Sequence, residues 1–180
     1  MEALYLGGGG KNGPRVGADL ENGPSVVARE RLGLPAADSL GVVSAGIYGI
    51  DALDDYAAQW EEKRPGAKFL NYLVSDQPSG TGEFYRSQNL GLSSASKERA
   101  DGRHFGGSLK VEKIEVPAAT LNEILDVAGI SRIDLLSLDI EGHEIAALRG
   151  LDLARFQPEL IVSEGIRPDV EELLARHGYE

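Results

Sequence analysis

The chain has 180 residues, 42% of them hydrophobic and 26% charged, which is ordinary for one soluble globular domain over residues 1–180 with a real core. A formal net charge of −11 argues against nucleic acid as a main partner, since phosphate binding wants a basic face. The absence of cysteine removes disulfides and thiolate metal sites, and no apolar stretch reaches membrane-spanning length. The opening Met1-Glu-Ala-Leu-Tyr-Leu6 lacks the basic head and long apolar segment of a signal peptide, so a cytoplasmic protein is the expectation.

In chain order, Ala3–Leu6 is a short apolar run that enters Gly7-Gly-Gly-Gly10, Lys11, Asn12 and Gly13. A strand running into a glycine turn opens many nucleotide-type α/β folds, because small residues let a ligand approach the backbone. Gly7, Gly9 and Gly13 are therefore candidate cofactor contacts. A second glycine turn, Gly17 to Gly23, competes for that role, and the sequence leaves the choice open. Pro24 and Gly33 bracket Ser25–Leu32, which predicts a modest helix. Gly41–Ile50 reads as a second strand, clearest in its last part, and it ends on Asp51. Leu53, Tyr56, Ala57 and Trp60 recur at helical spacing until Pro65-Gly66. A carboxylate at the end of the second strand suits a ribose diol, although its distance from either glycine turn exceeds the usual interval of about 20 residues. The plainer reading of Asp51 is a helix cap.

Lys68–Val74 predicts the third strand, closed by Ser75-Asp76, and Glu83–Arg86 a short extended piece. Asn89–Ser96 is small and polar, and Lys97–Gly107 is charged, glycine-rich and aperiodic, as in a long surface loop. Arg86, Lys97, Arg99, Arg103 and Lys110 form the one loose basic group, and solvated loop charges account for it, as for His104. Leu109–Val116 alternates like a half-exposed strand, and Thr120-Leu-Asn-Glu123 is a capping box that starts a helix ending at Gly129. Ile133–Leu138 is apolar almost without a break, as in a strand covered on both faces of a parallel sheet. It drives into Asp139, Glu141, Gly142, His143 and Glu144. A further buried strand, Pro158–Ser163, also ends on an acid, Glu164, and Pro168 suits the start of a last helix.

Alternating strands and helices predict an α/β fold built on one mostly parallel sheet covered by helices on both faces. Right-handed crossovers then gather the strand carboxyl ends on one rim, with a glycine turn, Asp51, Asp76, Asp139, Glu141 and Glu164. An acid-lined rim suits neither a pyrophosphate nor a triphosphate. It suits a ligand with hydroxyls and a positive centre, such as S-adenosylmethionine. Asp139, Glu141 and Glu164 are of the type that holds hard cations, but their spacing demands no ion and no metal ligand is assigned.

Ile133-Asp-Leu-Leu-Ser-Leu-Asp-Ile-Glu-Gly-His-Glu144, then Leu148-Arg-Gly150, then Pro158-Glu-Leu-Ile-Val-Ser-Glu164, resembles the FkbM-type methyltransferases. Ile50-Asp51, Asn71–Asp76, Gly91-Leu-Ser-Ser94 and Val116–Leu125 fall in the family's order, so the resemblance covers roughly residues 41–179. It implies a Rossmann-like class I methyltransferase fold and transfer from S-adenosylmethionine to an oxygen of a small-molecule or saccharide acceptor. It further implies that Asp51 holds the ribose, that Ser75 and Asp76 contact the adenine, and that Asp139 and Glu141 flank donor and acceptor. His143 is the first candidate for a base that removes the acceptor's proton, ahead of Glu141 and Asp139. The family's Asp-x-Gly-Ala-Asn-x-Gly turn is matched best by Gly7–Gly13, with Gly7 in place of the acid and Lys11 in place of the Asn, while the alternative, Gly17-Ala-Asp-Leu-Glu-Asn-Gly23, keeps an acid but spaces the glycines wrongly. The rival expectation is a non-catalytic binding module that kept the fold and lost the cofactor. The chain stops at Tyr179-Glu180, where this fold normally adds strands, so a truncated sheet or a partner-covered edge is expected.

Overall fold

The computed structural model describes residues 2–7, 25–28, 46–64, 66–103, 106–164 and 167–180. Strands β1 (Glu2–Gly7), β3 (Gly46–Asp51), β4 (Lys68–Asn71), β8 (Leu135–Asp139) and β9 (Leu160–Ser163) run parallel, and β2 (Ser25–Ala28) pairs antiparallel with β9. Their order is β2-β9-β8-β1-β3-β4. The chain moves outward one way from β1 through β3 to β4, then returns to the other side of β1 for β8 and β9. Such a reversal opens a crevice at the strand carboxyl ends, the usual ligand position in open parallel sheets. Gly7 is in register with Asp139, and Leu6 with both Leu138 and Ile50, so three strand ends meet there.

Two expectations need correcting. Ser25–Ala28 is a strand rather than the start of a helix. Ser-Val-Val-Ala carries two β-branched residues, and pairing along β9 outweighs the helix signals around it. The predicted third strand is also broken at Tyr72. Its first part is β4; its last, β5 (Leu73–Val74), joins β6 (Gly80–Ser87) and β7 (Val111–Ala119) in a separate three-stranded sheet ordered β5-β7-β6. Asn71 makes the break. Its side-chain amide donates to the carbonyls of Asp51 and Ala52 at 3.0 Å, and the Tyr72 amide donates to Asp51 O. The strand is thus tied to the turn after β3 and redirected. The described residues form two sheets, not one.

Helices α1 (Ala57–Lys63), α2 (Lys97–Ala100), α3 (Leu121–Ala128), α4 (Glu144–Arg149), α5 (Leu153–Phe156) and α6 (Pro168–Arg176), with 3-10 turns at Asp54–Tyr56 and Leu90–Leu92, complete the described elements. The main core joins Tyr48, Ile50, Leu136, Leu138 and Ile161 of the sheet to Leu121, Leu125, Leu148, Phe156 and Leu174 of α3 to α6. Residue 49 lies between two core residues, so the pleat turns it to the opposite face. It is Gly, because Trp60 of α1 packs there, within 2.7 Å of where a Cβ would stand. The Thr120 capping box is formed in full, with the Glu123 amide donating to Thr120 Oγ1 and the Thr120 amide donating to Glu123. A second core packs Ala52 and Leu53 after β3 against Phe84 of β6 and Val116 of β7, and so fixes the small sheet beside the carboxyl end of β3. Among the described residues, no helix is long and apolar enough to cross a membrane.

Candidate active site

One cleft lies over the ends of β3 and β8. It holds about 500 Å³ of space continuous with solvent. Asp51 and Leu53 line it from the end of β3, Tyr72 to Val74 from the break between the sheets, and Asp139, Ile140, Glu141 and His143 from the end of β8. Phe84, Leu90, Ser93 and Ala95 form the opposite wall. The carboxylates predicted at the ends of the second strand and of Ile133–Leu138, separated by almost ninety positions, therefore face one space. Ser75 and Asp76 are not part of the lining. Asp76 lies near enough to act electrostatically on His143, and Ser75 Oγ is engaged by the Gln77 amide at 3.1 Å. Gly7 sits beside Asp139 at the end of β1. Gly9, Gly13, the Gly17–Gly23 turn and His104 lie outside the described residues.

Asp51 is half-buried among apolar residues, and its Oδ1 accepts the Leu53 amide at 2.8 Å. Burial raises its pKa from 3.8 to about 6; the Leu53 hydrogen bond opposes the rise and Asp55 adds to it. The carboxylate is thus held at the cleft partly out of water and tied to the turn that follows β3. Asp55 is in turn paired with Arg86.

Beyond β8 the backbone turns sharply. Glu141 adopts φ 51° and Gly142 φ 88°, a left-handed pair before α4. Glu144, 2% exposed, accepts the Gly142 amide at 3.0 Å and closes the turn. Asp139, Glu141 and Glu164 bring carboxylate oxygens within 4.8 Å of one another, a grouping able to hold a hard cation. Asp139 is open to the cleft, yet partial burial, a hydrogen bond with Glu164 and the charges of Glu164, Glu141 and Glu144 raise its pKa to about 7. Three acids crowding a fourth give that direction even where solvent reaches the group. Burial lowers the pKa of His143 against the opposing pull of Glu144 and Asp76, so its imidazole is neutral at pH 7.

Because the folded state holds the Asp139 proton more tightly than the unfolded chain, the stability this group contributes is full below about pH 4. It is lost as pH rises towards 7. Replacing Asp139 by Asn, which can still donate to Glu164, is expected to raise the melting temperature more at pH 8 than at pH 5. Scanning calorimetry at the two values checks the sign.

Sequence reasoning missed the opposite wall. The extended piece Glu83–Arg86 is part of β6, but neither its Phe84 nor the small, polar segment Asn89–Ser96 was given a place at the site. The available signal was Leu90 and Leu92, two large apolar residues beside Ser93-Ser94-Ala95. Nor are the nearby cations free loop charges. Arg86 pairs with Asp55, Arg103 with Asp101, and Arg99 lies 3.9 Å from Glu141.

Comparison with known proteins shows the family. A curated relative, Methyltransferase sdnD of Sordaria araneosa, is 36% identical over 98 residues, which are 47% of this chain and 36% of that protein. The chain thus spans about a third of the length of that relative. No solved structure matches the chain significantly. The model of the Methyltransferase FkbM domain matches residues 28–180, taking in β3, β8 and the whole acidic turn, and the chain belongs to the FkbM methyltransferase family.

Proposed function

We propose that this chain is an S-adenosylmethionine-dependent methyltransferase with a Rossmann-like class I fold, acting on an oxygen of a small molecule or saccharide. The observation that carries the reading is the shared cleft in which Asp51, a carboxylate half-buried among apolar groups, faces the turn from Asp139 to His143. The lining fits this cofactor. Asp51 can accept from a ribose diol, Tyr72, Leu73 and Phe84 offer flat and apolar surface to a purine, and Asp139 with Glu141 suits a sulfonium. Among the described residues no Lys or Arg lines the cleft, so a phosphate meets no cationic side chain from them.

When bound, the cofactor supplies an activated methyl group. The chain's own residues then align and deprotonate. Holding the acceptor oxygen in line is the larger part of the work, since orientation alone supplies about 7 kcal/mol or more in well-organised systems. His143, neutral at pH 7 and at the start of α4, accepts the acceptor's hydroxyl proton; Glu141 and Asp139 hold the hydroxyl in position. The apolar wall from Phe84 to Ala95 keeps water off the reacting face.

Transfer from methyl-labelled S-adenosylmethionine to a panel of hydroxylated small molecules and saccharides tests the reading. His143→Ala is expected to lower the rate about 100-fold, the usual worth of a positioned base, and Asp139→Ala to lower it as well. A chelator arm reports on the three grouped carboxylates. Unchanged rates in both variants would remove the site assignment.

A further inference from the structure

The segment Gly91-Leu-Ser-Ser94, part of the cleft wall, and the short helix α2 after it also hold the acidic turn. Ser94 is 1% exposed, and its backbone exchanges hydrogen bonds with Tyr85 of β6 at 2.9 and 3.1 Å. Its hydroxyl crosses to the main sheet and donates to the carbonyl of Glu141 at 3.1 Å, while accepting the Ser96 amide at 3.0 Å. Five residues on, Arg99 lies over Gly142 so closely that a Cβ there would overlap its guanidinium, and its Nη1 is 3.9 Å from Glu141 Oε2. Ala100, fully buried, anchors α2 beneath it. From the other side Arg167 donates to the Gly142 carbonyl at 3.2 Å and is itself fixed by Asp169. The residue so held is Glu141, one of two described non-glycine residues with positive φ. A strained residue of this kind persists only where its surroundings over-determine it.

We propose that Ser94 and Arg99 are positioning residues that hold the left-handed Glu141-Gly142 turn, so that the cleft wall from Leu90 to Ala95 and the turn bearing Glu141 and His143 move as one unit. An acceptor seated against that wall is thereby registered to the base. The inference rests on the methyltransferase reading for its catalytic meaning, and its test needs no acceptor.

The test follows wild type, Arg99→Ala and Ser94→Ala by NMR with the chain at full length. Amide exchange at Gly142 and His143 is expected to speed up about tenfold or more in each variant, with β8 and β9 unchanged, as in a local opening. His143 should titrate closer to an ordinary histidine as it gains solvent. Arg99→Lys, which keeps the cation, should recover part of the protection. Arg99 is 40% exposed, so its variant tests the idea even if Ser94→Ala fails to fold. Wild-type exchange and titration in the folded Arg99→Ala protein would overturn the proposal. Titration with S-adenosylhomocysteine separates the two claims. Wild type that binds while the variants leave the turn unchanged sinks only the positioning role, and wild type that does not bind sinks the methyltransferase reading.

Discussion

Replacing Asp51 by Asn is expected to weaken S-adenosylhomocysteine binding about 100-fold while making the protein more stable at pH 8. Hydrogen bonds to a charged acceptor are worth about 1.5–3 kcal/mol each. Losing the carboxylate at a diol removes two of them in their charged form, or about two decades in affinity. The stability change has the opposite sign. Asp51 titrates near 6 in the folded chain against 3.8 ordinarily, so its contribution is complete below about pH 4 and disappears as pH rises through 6. A shift of about two units corresponds to about 3 kcal/mol at most at pH 8. The Asn carbonyl can still accept the Leu53 amide that Oδ1 now takes, so the backbone after β3 keeps its anchor. A gain of about 1–3 kcal/mol moves the melting temperature upward by several degrees in a chain of this size. Weaker binding together with lower stability would mean that Asp51 is structural.

The second large effect is at Gly150. A Cβ built there would overlap the backbone carbonyl oxygen of Ser75, and it would stand 3.3 Å from Thr120 Cβ. Neither neighbour can rotate aside. The Gly150 carbonyl also accepts the Asn122 amide at 3.0 Å, so the end of α4, the start of α3 and the exit of β5 meet at one point. Gly150→Ala is expected to cost about 3 kcal/mol or more, the upper end for an overpacked site without a side-chain escape. The melting temperature should fall by about 10 °C. Denaturant unfolding measures it directly; a change under 1 kcal/mol would show that this junction is looser than the geometry says. The glycine of the Leu148-Arg-Gly150 motif is thus a packing requirement for the fold under the cleft, not a ligand contact.

Much of the working rim could be read from the chain. The apolar run Ile133–Leu138 ending in acids, and Asp51 closing another apolar run, were enough to place both on strand carboxyl ends facing a common space. Parallel sheets impose that geometry on any residue in such a position. The capping box at Thr120 was equally legible, because its chemistry is local. What escaped was long-range. The turn at Tyr72 depends on an Asn71 amide reaching two carbonyls near Asp51, and no periodicity encodes that reach. The strand at Ser25 exists through pairing with β9, far along the chain. The wall from Leu90 to Ala95 read only as small and polar because its partner, the acidic turn, lies some 47 positions downstream. Charges were misjudged for the same reason: Arg99 reads as solvated until Glu141 is beside it.

Calorimetric titration of the wild-type chain with S-adenosylhomocysteine, at pH 6 in two buffers of different ionisation enthalpy, reaches the core of this reading. A ligand whose diol seats on Asp51 favours the carboxylate. Binding should therefore release a fraction of a proton at pH 6, and affinity should weaken as the pH is lowered further. Absence of heat at millimolar ligand in either buffer, or binding with no proton released, would contradict it.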